Sequence, residues 1–269
     1  MKTENNKKKS RREFLIASTA ITGGLVLASF LKPFKSFADA KAEDSAASIP
    51  GKDKTLKVDY DRWYGFGFDI DKCIGCGSCA KACKIENDVP TEPFYFRTWI
   101  EQYTEENDGT LKVQSPNGGI DGQKQSVADK DISNSFFVPK TCNHCSHSPC
   151  VQVCPVGATF VSPEGVVLVD EKYCIGCGYC VQACPYGCRY IHPEKDVADK
   201  CSLCYHRIKK GLAPACVEVC PTGARIYGDL RDKKGVMVRF LKEHNCHVLK
   251  PHLNTGSKLF YNALREEVR

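Results

Sequence analysis

The sequence predicts an α+β fold of two similar cysteine-rich units, one nested in the other, with loop insertions and little regular secondary structure. Three observations predict it. Sixteen of the eighteen cysteines fall into four blocks of four. Two of those blocks share the spacing C-x2-C-x2-C-x3-C. Each regular block can be paired with one irregular block, which is the pattern a duplicated unit leaves.

Residues 1–40 read as an export segment outside the fold. Lys7, Lys8 and Lys9 give a basic start, and Ser10-Arg11-Arg12-Glu13-Phe14-Leu15 looks like a twin-arginine signal. An apolar stretch over 15–31 follows, softened by Ser18, Thr19, Thr22, Gly23 and Gly24. Ala38-Asp39-Ala40 then offers a small-residue cleavage site. A retained membrane anchor is the rival reading, because the run approaches the lower length limit for a spanning helix. Residues 41–65 read as a linker. Residues 64–70 alternate enough for a short strand leading into the first block, Cys73, Cys76, Cys79 and Cys83.

Residues 84–141 read as an insertion. It is aromatic and β-prone over 94–103, has a candidate strand at 110–114, and turns at Pro116-Asn117-Gly118-Gly119. Residues 121–135 read as an exposed polar loop. The insertion is either a surface flap or, through its aromatics, a partner surface. The second block is Cys142, Cys145, Cys150 and Cys154. After a turn at Ser162-Pro163-Glu164-Gly165, the run Val166-Val167-Leu168-Val169-Asp170 has the pattern of a buried strand. It leads to the third block, Cys174, Cys177, Cys180 and Cys184. The fourth block is Cys201, Cys204, Cys216 and Cys220. Residues 225–228 are the expected matching strand and 237–244 a short helix, with 245–269 a tail wrapped over the surface. The cysteine-rich domain is therefore drawn as 66–230, and the C-terminal helix and tail as 231–269. Cys154, Cys184 and Cys220 each precede a proline, which stops the helix carrying the last cysteines. Cys83 precedes Lys84, where the insertion begins.

The spacing C-x2-C-x2-C-x3-C is the ligand run of a bacterial two-cluster ferredoxin. Three thiolates hold one iron–sulfur cube, and the fourth, one helical turn on, ligates a second. Four blocks imply four [4Fe–4S] clusters in two bacterial-ferredoxin-like two-cluster units, and a protein that carries electrons. Nineteen residues separate the second and third blocks. With their strand, they resemble the middle of one complete unit, which leaves the first and fourth blocks to pair across the chain. The crossed-ligand rule then gives four sets: Cys73, Cys76, Cys79 with Cys220; Cys201, Cys204, Cys216 with Cys83; Cys142, Cys145, Cys150 with Cys184; and Cys174, Cys177, Cys180 with Cys154. The rival scheme pairs the first block with the second and the third with the fourth.

Structural zinc and a disulfide scaffold compete for the same cysteines. A single tetrahedral zinc cannot use four cysteines in so short a run, and cysteines three positions apart make poor disulfide partners. Cys188 and Cys246 lie outside the blocks and read as buried apolar thiols. His144 and His147 read as packing or potential-tuning neighbours of the second block. The formal charge of +6 is concentrated in residues 1–40, where eight basic residues face three acids. The remainder is close to neutral before the clusters add negative charge. Lys72, Lys81, Lys172, Arg189 and Lys200 therefore read as charge compensators or surface residues. There is no basic stripe with interleaved aromatics, so no nucleic acid is expected as a partner. No nucleotide-binding glycine motif is present.

The four blocks, with Cys142-Asn143-His144-Cys145, Ala183-Cys184-Pro185-Tyr186, Asp199-Lys200-Cys201 and Gly223-Ala224-Arg225-Ile226-Tyr227-Gly228, resemble one family. It comprises the four-cluster ferredoxin-type subunits of dimethyl-sulfoxide-reductase-type respiratory complexes. An exported form with its own twin-arginine signal is similar to the iron–sulfur subunits of tetrathionate reductase, of the nitrite-reductase-associated system and of the sulfite-reduction transmembrane complex. The resemblance implies a non-catalytic, periplasmic electron-transfer subunit in anaerobic respiration. Its partners would be a membrane-integral quinone-interacting subunit and either a molybdopterin catalytic subunit or a multihaem cytochrome c. A freestanding periplasmic polyferredoxin is the alternative. A catalytic oxidoreductase in its own right is a third reading, for which the sequence offers no substrate motif.

Overall fold

The computed structural model describes residues 62–122 and 131–268. The export segment 1–40, most of the linker and residues 123–130 of the polar loop lie outside the described residues. Strand β1 (Tyr64–Asp69) is buried along its whole length. Its sequence, Tyr-Gly-Phe-Gly-Phe-Asp, puts aromatics on one face and glycines on the other, because side chains alternate along a strand. On the aromatic face Phe66 lies 5.7 Å from Phe68, and Phe68 lies edge-on to Tyr261 at 5.6 Å. The glycine face admits helix α6 (Val236–Glu243). A Cβ on Gly67 would come within 2.6 Å of the Phe240 ring, so only glycine allows this close approach.

The main sheet has the order β10-β11-β1-β9, with β9 at Arg225–Asp229, β10 at Cys246–His247 and β11 at Leu259–Asn262. β1 pairs antiparallel with β9 and parallel with β11. The expected strands at 64–70 and 225–228 and the helix at 237–244 are thus β1, β9 and α6, so the linker drawn at 41–65 overlaps the first two residues of β1. The expected surface tail does not hold as drawn. Leu259 and Tyr261 are fully buried, and the Tyr261 hydroxyl donates to the Pro139 carbonyl at 3.0 Å. Burying two such side chains is worth several kcal/mol, roughly 1.5–3 each, which draws the chain end into the sheet.

The insertion is also more than a flap. It folds into a second sheet, β3-β2-β4, from β2 (Thr98–Glu106), β3 (Leu111–Gln114) and β4 (Ile132–Thr141). Strand β4 takes over residues 132–135, which the sequence reading gave to a loop. Ile100, Tyr103, Phe136 and Val138 are buried in the same core cluster as Phe66 and Phe68. Tyr103 stacks on Phe136 with ring centroids 5.2 Å apart. Two small hairpins complete the strands: β5 (Thr159–Val161) with β6 (Val167–Val169), and β7 (Tyr190–Ile191) with β8 (Ala198–Asp199). Among the described residues no helix is long and apolar enough to cross a membrane.

The β9–β1 and β5–β6 pairs correspond in register. Arg225, five residues after Cys220, faces Phe68, five before Cys73. Thr159, five after Cys154, faces Val169, five before Cys174. Each pair therefore connects one irregular and one regular block in the same way, although the first pair joins segments far apart in sequence.

Candidate iron–sulfur centres

Each block presents its cysteines from a tight loop followed by a short helix. Cys79 and Cys83 lie on α1 (Ser78–Glu86), Cys150 on α2 (Pro149–Gln152), Cys180 on α3 (Tyr179–Gln182) and Cys216 on α5 (Ala215–Glu218); α4 (Tyr205–Ile208) follows Cys204. The second residue after the first cysteine is left-handed in all four loops: Gly75, His144, Gly176 and Leu203. That turn points its amide back at the first thiol. His144 N–H meets Cys142 Sγ at 3.5 Å, and Leu203 N–H meets Cys201 Sγ at 3.4 Å.

The last cysteine of three blocks opens a Cys-Pro-x-Gly loop, in which the glycine amide donates to the cysteine carbonyl at 3.3 Å (Gly157, Gly187 and Gly223). The loop also turns amides toward the thiol. Burial acts to raise Cys154, but hydrogen bonds from the amides of Thr159, Val156 and Ala158 outweigh it and hold the thiol below its usual range. Cys220 is likewise lowered: burial opposes ionisation, while Thr222 and the amides of Arg225, Thr222 and Ala224 favour it. Cys184 is brought down to about 6, first by a hydrogen bond from Cys188, against burial, and then by backbone amides. Cys188 is thus buried as expected but not merely apolar, since the Thr141 carbonyl, 3.0 Å from its sulfur, is a second acceptor competing for its one thiol proton. Cys246 is half-buried, beside Asp69, rather than buried. Cys83 lacks the proline loop. Its helix runs on to Glu86, and the Asn87 side-chain amide serves instead, 3.5 Å from both Cys83 Sγ and Cys204 Sγ. Arg97 fixes Asn87 through a 3.1 Å bond to its Oδ1 and is itself paired with Asp199.

The structure brings two of the expected cysteine sets together, each around a cavity. Cys83, Cys201, Cys204 and Cys216 line one cavity. Cys142, Cys145, Cys150 and Cys184 line another. Cys73 is close enough to Cys79 and Cys220 to interact with both electrostatically. The loop carrying Cys174 and Cys177 has the same form as the loop of Cys73 and Cys76, with Cys177 and Cys76 both exposed. The two cavity quartets are buried apart from the half-buried Cys184, and the other two sets lie near the surface. Neighbouring sets also approach one another, since Cys201 and Cys142 interact electrostatically across the boundary between their cavities.

Burial pushes most of the inner thiols up, Cys145 to about 11 and Cys216 to about 12. A buried thiolate needs nearby positive charge, and an iron–sulfur cluster bound through thiolates would bring it. Among the described residues no three His, Cys, Asp or Glu side chains converge tightly enough for a single metal ion; the thiols instead stand around cavities. Arg225 Nη1 is buried without a hydrogen-bond partner among the described residues, and its guanidinium faces Cys79, Cys216 and Cys73. An orphaned buried donor directed at thiols fits an anionic cluster. His144 is buried; its Nδ1 accepts from Val167 N–H at 3.1 Å, and burial holds it neutral. His147 is exposed and contacts the Asn254 carbonyl. Lys72, Lys81 and Lys172 are on the surface, whereas Arg189 and Lys200 are buried. Sequence reading missed Asn87, Arg97, Arg225 and Lys258 as neighbours of the thiols. The recurrence of arginine five residues after Cys184 and Cys220 was the one available signal for Arg225.

Residues 72–158 and 133–230 each match a 4Fe-4S dicluster domain. The B subunit of tetrathionate reductase from Salmonella typhimurium is 37% identical over 266 residues, which cover 98% of this chain and 92% of that protein. Its counterpart in the tetrathionate reductase of Archaeoglobus fulgidus is 44% identical over 214 residues, covering 80% of this chain and 88% of the relative. The thiosulfate reductase electron transfer subunit PhsB of Salmonella typhi is 40% identical over 167 residues, 62% of this chain and 76% of the relative.

Proposed function

The protein belongs to the ferredoxin-type iron–sulfur subunits of dimethyl-sulfoxide-reductase-type complexes, and from that premise we propose that it conducts electrons through four [4Fe–4S] clusters held in a row. The ligand sets are the crossed ones. Cys73, Cys76, Cys79 and Cys220 hold the first cluster, and Cys201, Cys204, Cys216 and Cys83 the second. Cys142, Cys145, Cys150 and Cys184 hold the third, and Cys174, Cys177, Cys180 and Cys154 the fourth. This makes two ferredoxin-like units, the second nested within the first. When bound, the clusters supply one-electron redox chemistry. The residues of this chain hold them, donate hydrogen bonds to their sulfurs and exclude water from the inner pair.

The observation that carries the reading is the gradient of exposure. Two cysteine quartets line cavities and are buried but for the half-buried Cys184, whereas Cys76 and Cys177 of the other two sets are exposed. Such a row takes electrons in at one end and releases them at the other. The protein is non-catalytic, because the thiols are committed to ligation and bond chemistry belongs to a partner. Its partners are a membrane-integral quinone-interacting subunit and a second redox subunit, a molybdopterin enzyme or a multihaem cytochrome c. The twin-arginine segment supports delivery of the loaded protein to the periplasm.

The test is purification after gentle solubilisation of membranes from cells making the tagged protein. A stable complex with a membrane subunit and a second redox subunit is expected. Because two relatives serve tetrathionate reductases, such a reductase subunit is the first partner to look for. A protein recovered as a free monomer would contradict the reading and favour a freestanding periplasmic carrier.

A further inference from the structure

Arg189 and Arg225 occupy equivalent places, five residues after the last cysteine of the third and fourth blocks. Both are buried. Arg189 donates from Nη2 to Cys150 Sγ at 3.1 Å, in the third cluster's set, and pairs on its other side with Cys180 of the fourth. Arg225 faces Cys79 of the first set and pairs with Cys216 of the second. Each guanidinium therefore bridges the third cysteines of two blocks, and a threonine hydroxyl orients each: Thr159 at 3.3 Å and Thr98 at 2.9 Å. Lys200 occupies the remaining junction. Its Nζ is held by the carbonyls of Val167 and Cys201, and it faces Cys142 and Cys150 on one side and Cys201 on the other.

Among the described residues none of these three cations forms an ion pair with a carboxylate, unlike Arg97, Lys140 and Lys209. A buried charge without a counter-charge is costly. The cation at each junction therefore has its counter-charge in the thiolates and clusters on either side. At low effective dielectric that attraction is large, and it grows when a cluster gains an electron. Charge and hydrogen bonding to sulfur are the terms by which a protein sets a cluster's potential.

We propose that Arg225, Lys200 and Arg189 are junction charges, each stabilising an added electron on both of the clusters it separates and so setting the potentials along the row. This rests on the four-cluster reading above. The step is the transfer of one electron from an external donor, dithionite in the test, to a cluster; no bond forms or breaks and no proton is required.

The test is potentiometric titration, followed by electron paramagnetic resonance, of the loaded full-length protein and its Arg225→Gln and Arg189→Gln variants. Iron and sulfide content is measured on every sample. In each variant two of the four potentials fall while two stay, and the pair that falls in one is the pair that stays in the other. The expected fall is on the order of tenfold in the reduction equilibrium, about 59 mV for a one-electron couple. Fully loaded variants with unchanged potentials, or with all four shifted together, overturn the proposal. If a glutamine variant does not load, the lysine variant decides. Loading with potentials near the wild type supports a requirement for charge; failure of both shows that shape alone matters and overturns it. Wild-type protein holding fewer than four clusters would defeat the underlying reading instead, so the two failures are distinguishable.

Discussion

Gly75, His144, Gly176 and Leu203 hold the same left-handed position in the four loops, and that shared turn aims an amide at the first thiol of a block. For a residue with a Cβ the conformation costs about 1–2 kcal/mol, a strain that His144 and Leu203 bear while buried in the core. Gly176→Ala should do worse than strain alone, because its Cβ would stand 2.3 Å from the Asp196 carbonyl oxygen. Gly178→Ala, also left-handed but with nothing within 4 Å of its Cβ, should cost only the strain. Thermal unfolding and iron retention should therefore rank Gly176→Ala below Gly178→Ala, and equal losses would contradict the clash. Glu164 gives a second residue-level expectation. Burial would raise its carboxyl, but Lys209 Nζ at 2.8 Å and the Tyr205 hydroxyl at 3.0 Å help hold it below the usual range. A lowered folded value means the ionised form stabilises the fold above the unfolded value of about 4.3, and that contribution is lost as pH falls through the lowered one. Glu164→Gln should cost on the order of 3 kcal/mol near pH 7, with the gap to wild type narrowing in melts toward pH 4. A gap independent of pH would contradict the ion pair. The cysteines were legible in the sequence because ligand spacing is local. Asn87, which replaces a proline loop at Cys83, was not, because its role depends on Cys204, far away in the chain.

At the scale of elements, the short helices follow from sequence more directly than the sheets. Proline after Cys154, Cys184 and Cys220 limits α2, α3 and α5 to a single turn, while Lys84 after Cys83 lets α1 run nine residues. The hairpin β5–β6 was half visible in Val166-Val167-Leu168-Val169. The place of β11 was hidden, because a parallel neighbour for β1 had to come from almost 200 residues away, and nothing local marks that pairing. The same holds for β4, whose first residues are polar enough to read as a loop yet pair with β2 along its length. Strand β11 is thus expected to matter more than a surface tail would. Tyr261→Ala should lower stability by about 3–5 kcal/mol, as large-to-small changes in a core do, and Phe260→Ala, at a half-buried neighbouring position, by clearly less. Chemical denaturation of the loaded protein checks the ranking. Equal small losses would return the segment to the surface.

Across the whole molecule, the aromatic face of β1, the insertion sheet and the chain end share one core with Cys142, Cys201 and Cys216, while the regular blocks carry Cys76 and Cys177 to the outside. Buried cations sit at the junctions between the sets, so the charge that burial withholds from the thiols is supplied from within the fold. Two of these cations, Arg189 and Lys200, were legible in the sequence as charge compensators near the blocks, whereas Arg225 was not. The measurement that tests the account most directly is iron and acid-labile sulfide analysis of the anaerobically purified protein, with electron paramagnetic resonance of the reduced form. Four cubes predict about sixteen irons and as many sulfides per chain, with signals from interacting [4Fe–4S] clusters. A value near eight irons, with half of the cysteines free to react with a thiol reagent, would contradict it.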